Sequence, residues 1–162
     1  MLKNDLISPT EIAKYFLIRA EKDGELITPL KMQKLVYFAY VFYLVSKRGA
    51  EKLFEEKIEA WPAGPVIPSL YKKLKKYGSA PINVKSFVDI SEKKIFEKND
   101  QRIINILDKA YETCQKYTAF ELVVLSHREK GWLEARKGLE PYEKSNNFIL
   151  DKHILEQHIR QR

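Results

Sequence analysis

The eleven residues from Leu35 to Val45, LVYFAYVFYLV, run without a charged residue or a helix breaker. Coiled as a helix, such a segment has no polar face, so other elements must enclose it. A bilayer is not the enclosure: at ~1.5 Å per residue the run spans roughly 16 Å, about half of a hydrocarbon core. Thr28-Pro29 offers an N-cap and a proline for the first helical position, which predicts a helix from there to about Ser46. Lys31, Gln33 and Lys34 make its first turns partly polar. Tyr37, Tyr40 and Tyr43 can be buried in it only if each hydroxyl finds a partner. The expectation is a central core helix with a compact, mainly α domain built around it.

Helix signals recur along the chain. Ser8-Pro9-Thr10-Glu11 is a capping box with proline at the first helical position, and Asp23-Gly24 closes that segment. Ile67, Leu70, Tyr71, Leu74 and Tyr77 form a helical stripe ending at Gly78, with Lys72, Lys73, Lys75 and Lys76 on the other face. Ile103 to Tyr117 keeps a 3.6-residue period from the cap candidates Asn99 and Asp100. Thr118-Ala119-Phe120-Glu121 opens another helix with a second capping box. Gly131 and Gly138 bracket a short helix, and Ile154, Leu155 and Ile159 predict a last one. Between them, Ile58 to Pro68 (IEAWPAGPVIP) contains three prolines that forbid a helix, with a turn at Gly64-Pro65. Asn83 to Glu97 is the least helical stretch and is expected to form a β-hairpin. With no repeat and no long linker, residues 1–162 read as a single domain.

Composition narrows the functional classes. The 162 residues are 44% hydrophobic and 31% charged, which excludes a disordered chain. One cysteine excludes an intramolecular disulfide framework. Polar residues break any signal-peptide core at the N-terminus, so a soluble cytoplasmic protein is expected, with no membrane partner. The formal charge is +7, but it is spread as +3, +2 and +2 over segments divided after residues 50 and 100. A dispersed excess favours solubility and steering toward acidic partners over a dedicated nucleic-acid groove. Lys72, Lys73, Lys75 and Lys76 form the one concentrated basic patch, readable as a solvated face or as phosphate contacts.

No catalytic constellation stands out, and no catalytic residue, cofactor or metal site is assigned. His153 and His158 lie about 140° apart on a helix, which denies them a common metal ligand. Cys114 falls on the apolar stripe with Leu107, Ala110 and Tyr117, where core packing accounts for it better than nucleophilic chemistry. His127 is readable as a structural histidine near a helix C-terminus or as a polar group of a binding site. Gly-rich phosphate motifs are missing. The chain is expected not to be an enzyme.

Three segments together resemble a known family, the Panacea-domain or SocA/GepA-like antitoxins, first noted as phage-associated proteins. Ile27-Thr28-Pro29-Leu30-Lys31-Met32-Gln33-Lys34-Leu35-Val36-Tyr37 is similar to its signature I-T-x-L-K-L-Q-K-L-x-Y. Ile58 to Tyr71, with Glu59-Ala60-Trp61 and Gly64-Pro65-Val66, is similar to E-A-W-x-x-G-P-V-x-P-x-L-Y. Leu122 to Arg136 supplies Leu125-Ser126-His127 and Trp132, with Ser126 where the family usually has Thr and Gly131 where it has Pro. The match extends over roughly Pro9 to Ile149.

The resemblance implies a helical domain with a small β element acting as the antitoxin of a two-gene module. Its partner would be a cognate toxin, and a SocA-type member would also act as an adaptor delivering the toxin to a ClpXP-type protease. It leaves a homodimer open, and a nucleic-acid-binding regulator using the lysine patch is the alternative. The candidate partner-binding residues are Lys31, Gln33, Lys34, Tyr37, Glu59, Trp61, Gly64, Pro65, His127 and Trp132. Either the start of the central helix meets the Trp61 segment in an anchor-plus-charge surface, or that segment is a structural turn in which Glu59 caps or pairs with Lys31 or Lys34.

Overall fold

Capping side chains set where several of the helices begin in this structure, a computed structural model that describes residues 7–89 and 101–159. Helix α1 (Pro9–Asp23) starts on a reciprocal box: the Glu11 amide donates to Ser8 Oγ at 3.1 Å and the Ser8 amide to Glu11 Oε1 at 2.9 Å. Gly24, at φ 73°, ends it in the left-handed conformation that glycine adopts without a Cβ penalty. Helix α2 (Pro29–Ser46) starts on Thr28, whose Oγ1 accepts from the Lys31 amide. Such a cap is worth about 1 kcal/mol, enough to fix a helix start but not to hold a fold.

What holds the fold is burial around α2, which touches α1, four later helices and the sheet. Its Leu35, Val36, Tyr37, Ala39 and Leu44 are essentially inaccessible. The three tyrosine hydroxyls find carboxylates: Tyr37 donates to Glu129 (2.8 Å), Tyr40 to Asp151 (2.7 Å) and Tyr43 to Glu51 (2.9 Å). The enclosure is not complete. Phe42 and Val45, in the last turns, are only half-buried.

The hairpin lies elsewhere than expected. Strand β1 (Glu59–Trp61) pairs antiparallel with β2 (Gly64–Val66) in the register Glu59↔Val66, Ala60↔Pro65 and Trp61↔Gly64. The proline-rich segment therefore forms the sheet. Pro65 is tolerated there because Ala60 turns both backbone groups the other way: its N–H donates to the Asn147 carbonyl and its C=O accepts from Arg136. Of the expected hairpin at Asn83–Glu97, Val84–Phe87 is instead a single helical turn, α4, capped by Asn83 Oδ1 on the Ser86 amide. Val84, Phe87 and Val88 have helical spacing, which outweighs their β propensity. The part from Ile90 onward lies outside the described residues, as do Asn99 and Asp100.

Helix α3 (Pro68–Leu74) continues into a 3-10 turn, Lys75–Tyr77, and buries Leu70 and Leu74. Helix α5 (Gln101–Cys114) is tied to α1 by Arg19, which bonds Asp108 (3.0 Å) and Glu112 (3.1 Å), and by the Tyr15 hydroxyl on Asp108. Helix α6 (Ala119–Ser126) carries the expected Thr118–Glu121 capping box. Helices α7 (Lys130–Ala135) and α8 (Asp151–His158) pack against each other. The architecture is mainly α, with one small antiparallel sheet among the described residues. No described helix is long and apolar enough to cross a membrane.

Candidate functional site

The polar residues at the start of α2 turn inward, toward the hairpin. Gln33 treats Ile67 as a strand would: its Nε2 donates to the Ile67 carbonyl (3.2 Å) and its Oε1 accepts from the Ile67 amide (2.9 Å). Lys34 donates from Nζ to the Pro65 carbonyl at 2.9 Å and is 0% exposed. No carboxylate pairs with it among the described residues, and burial pulls its pKa down to about 7. Lys31 stands apart, donating to the Gln115 carbonyl at 2.6 Å. Gln33→Met keeps the side-chain volume but leaves the Ile67 amide and carbonyl without partners. It is expected to cost about 2–4 kcal/mol in urea unfolding. A loss below about 1 kcal/mol would mean that water replaces the glutamine.

Gly64 lies directly on Lys34. Its φ is 113°, and a Cβ there would sit 2.6 Å from Ser126 Oγ and 3.0 Å from Lys34 Cε. Ser126 is itself fully buried at the end of α6, with its hydroxyl on the Val123 carbonyl. The next residue, His127, caps α6 and stacks on Trp132, with ring centroids 4.1 Å apart and planes at 14°. Burial lowers the His127 pKa, and a hydrogen bond to the Pro62 backbone opposes the shift. Its Nε2 is buried without a partner among the described residues.

The third segment clamps the hairpin. Trp132 donates from Nε1 to the Trp61 carbonyl at 2.8 Å. Arg136, buried and 5.5 Å from the Trp132 ring centroid, donates to the carbonyls of Ala60, Glu140 and Glu143. Trp61 is half-buried, packs edge-on against Tyr71 at 5.0 Å and donates from Nε1 to Glu59 at 2.8 Å. Glu59 therefore serves Trp61 and does not pair with Lys31 or Lys34.

The structure thus brings Lys34, Gly64, Pro65, Trp61, Glu59, His127 and Trp132 into one cluster. Gln33 adjoins it through Ile67, Tyr37 connects through Glu129, and Lys31 lies outside. The elements do meet, but the charge of the supposed surface is interior. What the cluster shows to solvent is a depression of about 350 Å³ walled by Leu30, Trp61 and Tyr71. Lys72, Lys73, Lys75 and Lys76 are exposed on α3 and the following turn.

Other chemistry-bearing groups are otherwise engaged. Cys114 is buried and its thiol is pushed up to about 11, which makes it a poor nucleophile. His158 lies 3.1 Å from Glu129, and no group of three metal-binding side chains occurs among the described residues. Glu129 has no role in the reading of the sequence, and Arg136 enters it only at the end of the third family-like segment. Three buried tyrosines demanded acceptors, which was the available signal for Glu129, although it could not say which carboxylate would answer.

Taken as a set, the interlocked segments define a small helical scaffold closed by a proline-containing hairpin, with Lys34 and Arg136 bonded to its backbone carbonyls. Residues 32–133, well over half of the chain, match the family model described as antitoxin SocA-like, Panacea domain. The protein belongs to that family. No curated protein and no solved structure matches it.

Proposed function

We propose that this protein is the antitoxin of a toxin–antitoxin pair and neutralises its cognate toxin by direct protein–protein binding. The observation that carries this reading is membership of the SocA-like antitoxin family over residues 32–133. The geometry supports binding over catalysis. Lys34 and Arg136 donate to main-chain carbonyls, and Gln33 is bonded to Ile67 in both directions. Bonded in this way, these groups hold main-chain atoms of the scaffold in place.

Co-expression with the product of the adjacent reading frame tests the proposal. The wild-type chain should restore growth that the partner alone suppresses, and the two should purify as a stoichiometric complex that survives high salt. Light scattering of that complex reads whether one or two copies of this chain take part. Repeating the rescue in cells without ClpX separates the two routes of neutralisation. Rescue that persists indicates blocking, and rescue that is lost with a lengthened toxin half-life indicates delivery to a ClpXP-type protease. The exposed lysines of α3 support a second reading, a nucleic-acid-binding regulator. Generic duplex affinity that falls steeply with salt, with no toxin complex, would favour it.

A further inference from the structure

The face of α2 that meets the hairpin continues past it. Lys34, Phe38, Val41 and Val45 follow at spacings of four, three and four residues, which places them along one stripe of the helix. The hairpin covers the stripe at Lys34. Beyond Phe38 the stripe forms the floor of a groove of about 720 Å³ between α2, α5, α6 and α8. Phe38, Phe42 and Val45 line it from α2, Ile106 from α5, and Leu122 and Leu125 from α6. Phe42, Val45, Ile106 and Leu125 are only half-buried, so the described residues leave one side of an apolar helix open.

The rim has a sign. Lys109 and Arg128 border the groove, are exposed, and have no side-chain ion pair among the described residues. The one carboxylate in the lining, Glu129, is buried and already accepts from Tyr37 with His158 at 3.1 Å. An occupant therefore needs an apolar face for the floor and acidic groups for the rim. A second copy of this chain suits the site poorly, because a formal charge of +7 repels itself. A nucleic acid suits it less, because the floor offers nothing to phosphates.

We infer that this groove is where the toxin docks, receiving an amphipathic helix with apolar residues at helical spacing and acidic residues on its flanks. The inference rests on the antitoxin reading and adds the place and chemistry of recognition. It also moves recognition away from the Trp61 cluster, which fixes the position of α2.

The test uses the full chain and the product of the adjacent reading frame. Phe42→Asp should weaken the complex at least about 30-fold and abolish growth rescue. Phe42 is half-buried, so a second variant separates binding from folding: Lys109→Glu/Arg128→Glu changes only exposed side chains. It should slow association and reduce the salt dependence of binding. Lys73→Glu, on the α3 face, should bind as the wild type does. In methyl NMR, the Val45, Leu122 and Leu125 signals should shift when the toxin is added. Wild-type-like binding by both groove variants would overturn the inference while leaving the antitoxin reading intact. So would shifts confined to Val66 and Leu74, or a small apolar molecule filling the groove while the toxin binds elsewhere. A wild-type chain that neither binds nor rescues would overturn both.

Discussion

Gly64→Ala is expected to lose about 2–5 kcal/mol of folding stability, a large part of what a domain of this size has. Two independent costs add. The φ of 113° is one that a residue with a Cβ adopts at about 1–2 kcal/mol. The new methyl would also be driven to 2.6 Å from Ser126 Oγ and 3.0 Å from Lys34 Cε, and overpacking of this kind costs about 1–3 kcal/mol. Both neighbours are fully buried, so neither can swing into solvent. Ser126→Ala removes the nearer of the two atoms. In the Gly64→Ala background it should recover about 1 kcal/mol relative to the sum of the single changes, leaving the backbone cost in place. Urea unfolding of the four chains in this cycle measures it, and strict additivity would show that the hairpin does not rest on α6 here.

Lys34 gives the second large effect, as a dependence on pH. Its pKa is about 7 in the folded chain and near 10.5 when unfolded. Between those values the unfolded chain holds a proton that the folded chain lacks, so stability rises with pH across this window. Below about pH 7 both states are protonated and the slope from this group vanishes. The rise approaches 1.4 kcal/mol per pH unit, or about 3 kcal/mol from pH 7 to about pH 9.5. Tyr37 and Tyr40 work in the opposite sense at higher pH. Burial and their carboxylate partners hold both hydroxyls well above the usual tyrosine range. Above about pH 10 the unfolded chain therefore loses protons first and stability falls. Wild type should be most stable in mildly alkaline buffer. Lys34→Met should lack the rise, so wild type should gain about 3 kcal/mol on the variant between about pH 7 and pH 9.5, measured by guanidinium denaturation at several pH values. Parallel curves would mean that Lys34 keeps its charge inside the fold.

Much of the scaffold was legible in the sequence because its helix starts are written in local chemistry. The Ser8–Glu11 and Thr118–Glu121 boxes and the Thr28 cap all act where their spacing places them. Cys114 lies in the core, as the apolar stripe of α5 requires. The hairpin was not legible. Pro62 and Pro65 look like breakers unless it is known that the free edge of Ala60 is bonded to Asn147 and Arg136, some eighty residues away. Conversely, Val84 to Val88 looked like strand material, but Val84, Phe87 and Val88 share a helical spacing behind the Asn83 cap.

The convergence of most motif residues was legible, but the direction in which their polar groups face was not. Lys34, Trp61, His127 and Trp132 do converge, yet a lysine followed by Leu35-Val36 carries no local sign of whether its amine reaches water or a proline carbonyl. The open groove was hidden for a related reason. An all-round apolar helix reads as enclosed, and only the placement of α5, α6 and α8 shows where the enclosure stops.

The clamp on the hairpin bears on how the chain is made. Trp132 holds the Trp61 carbonyl, Arg136 and Asn147 hold Ala60, and Ile149 donates to the Ile58 carbonyl at 2.8 Å. Synthesis proceeds from the N-terminus, so α2 and the hairpin segment leave the ribosome long before these partners exist. Until Trp132 to Ile149 have followed, the hairpin that rests on Lys34 lacks the partners of its outer strand, while α5 and α6 are already made and can cover α2. The outer edge of the hairpin is therefore completed only when the C-terminal part of the chain has been made.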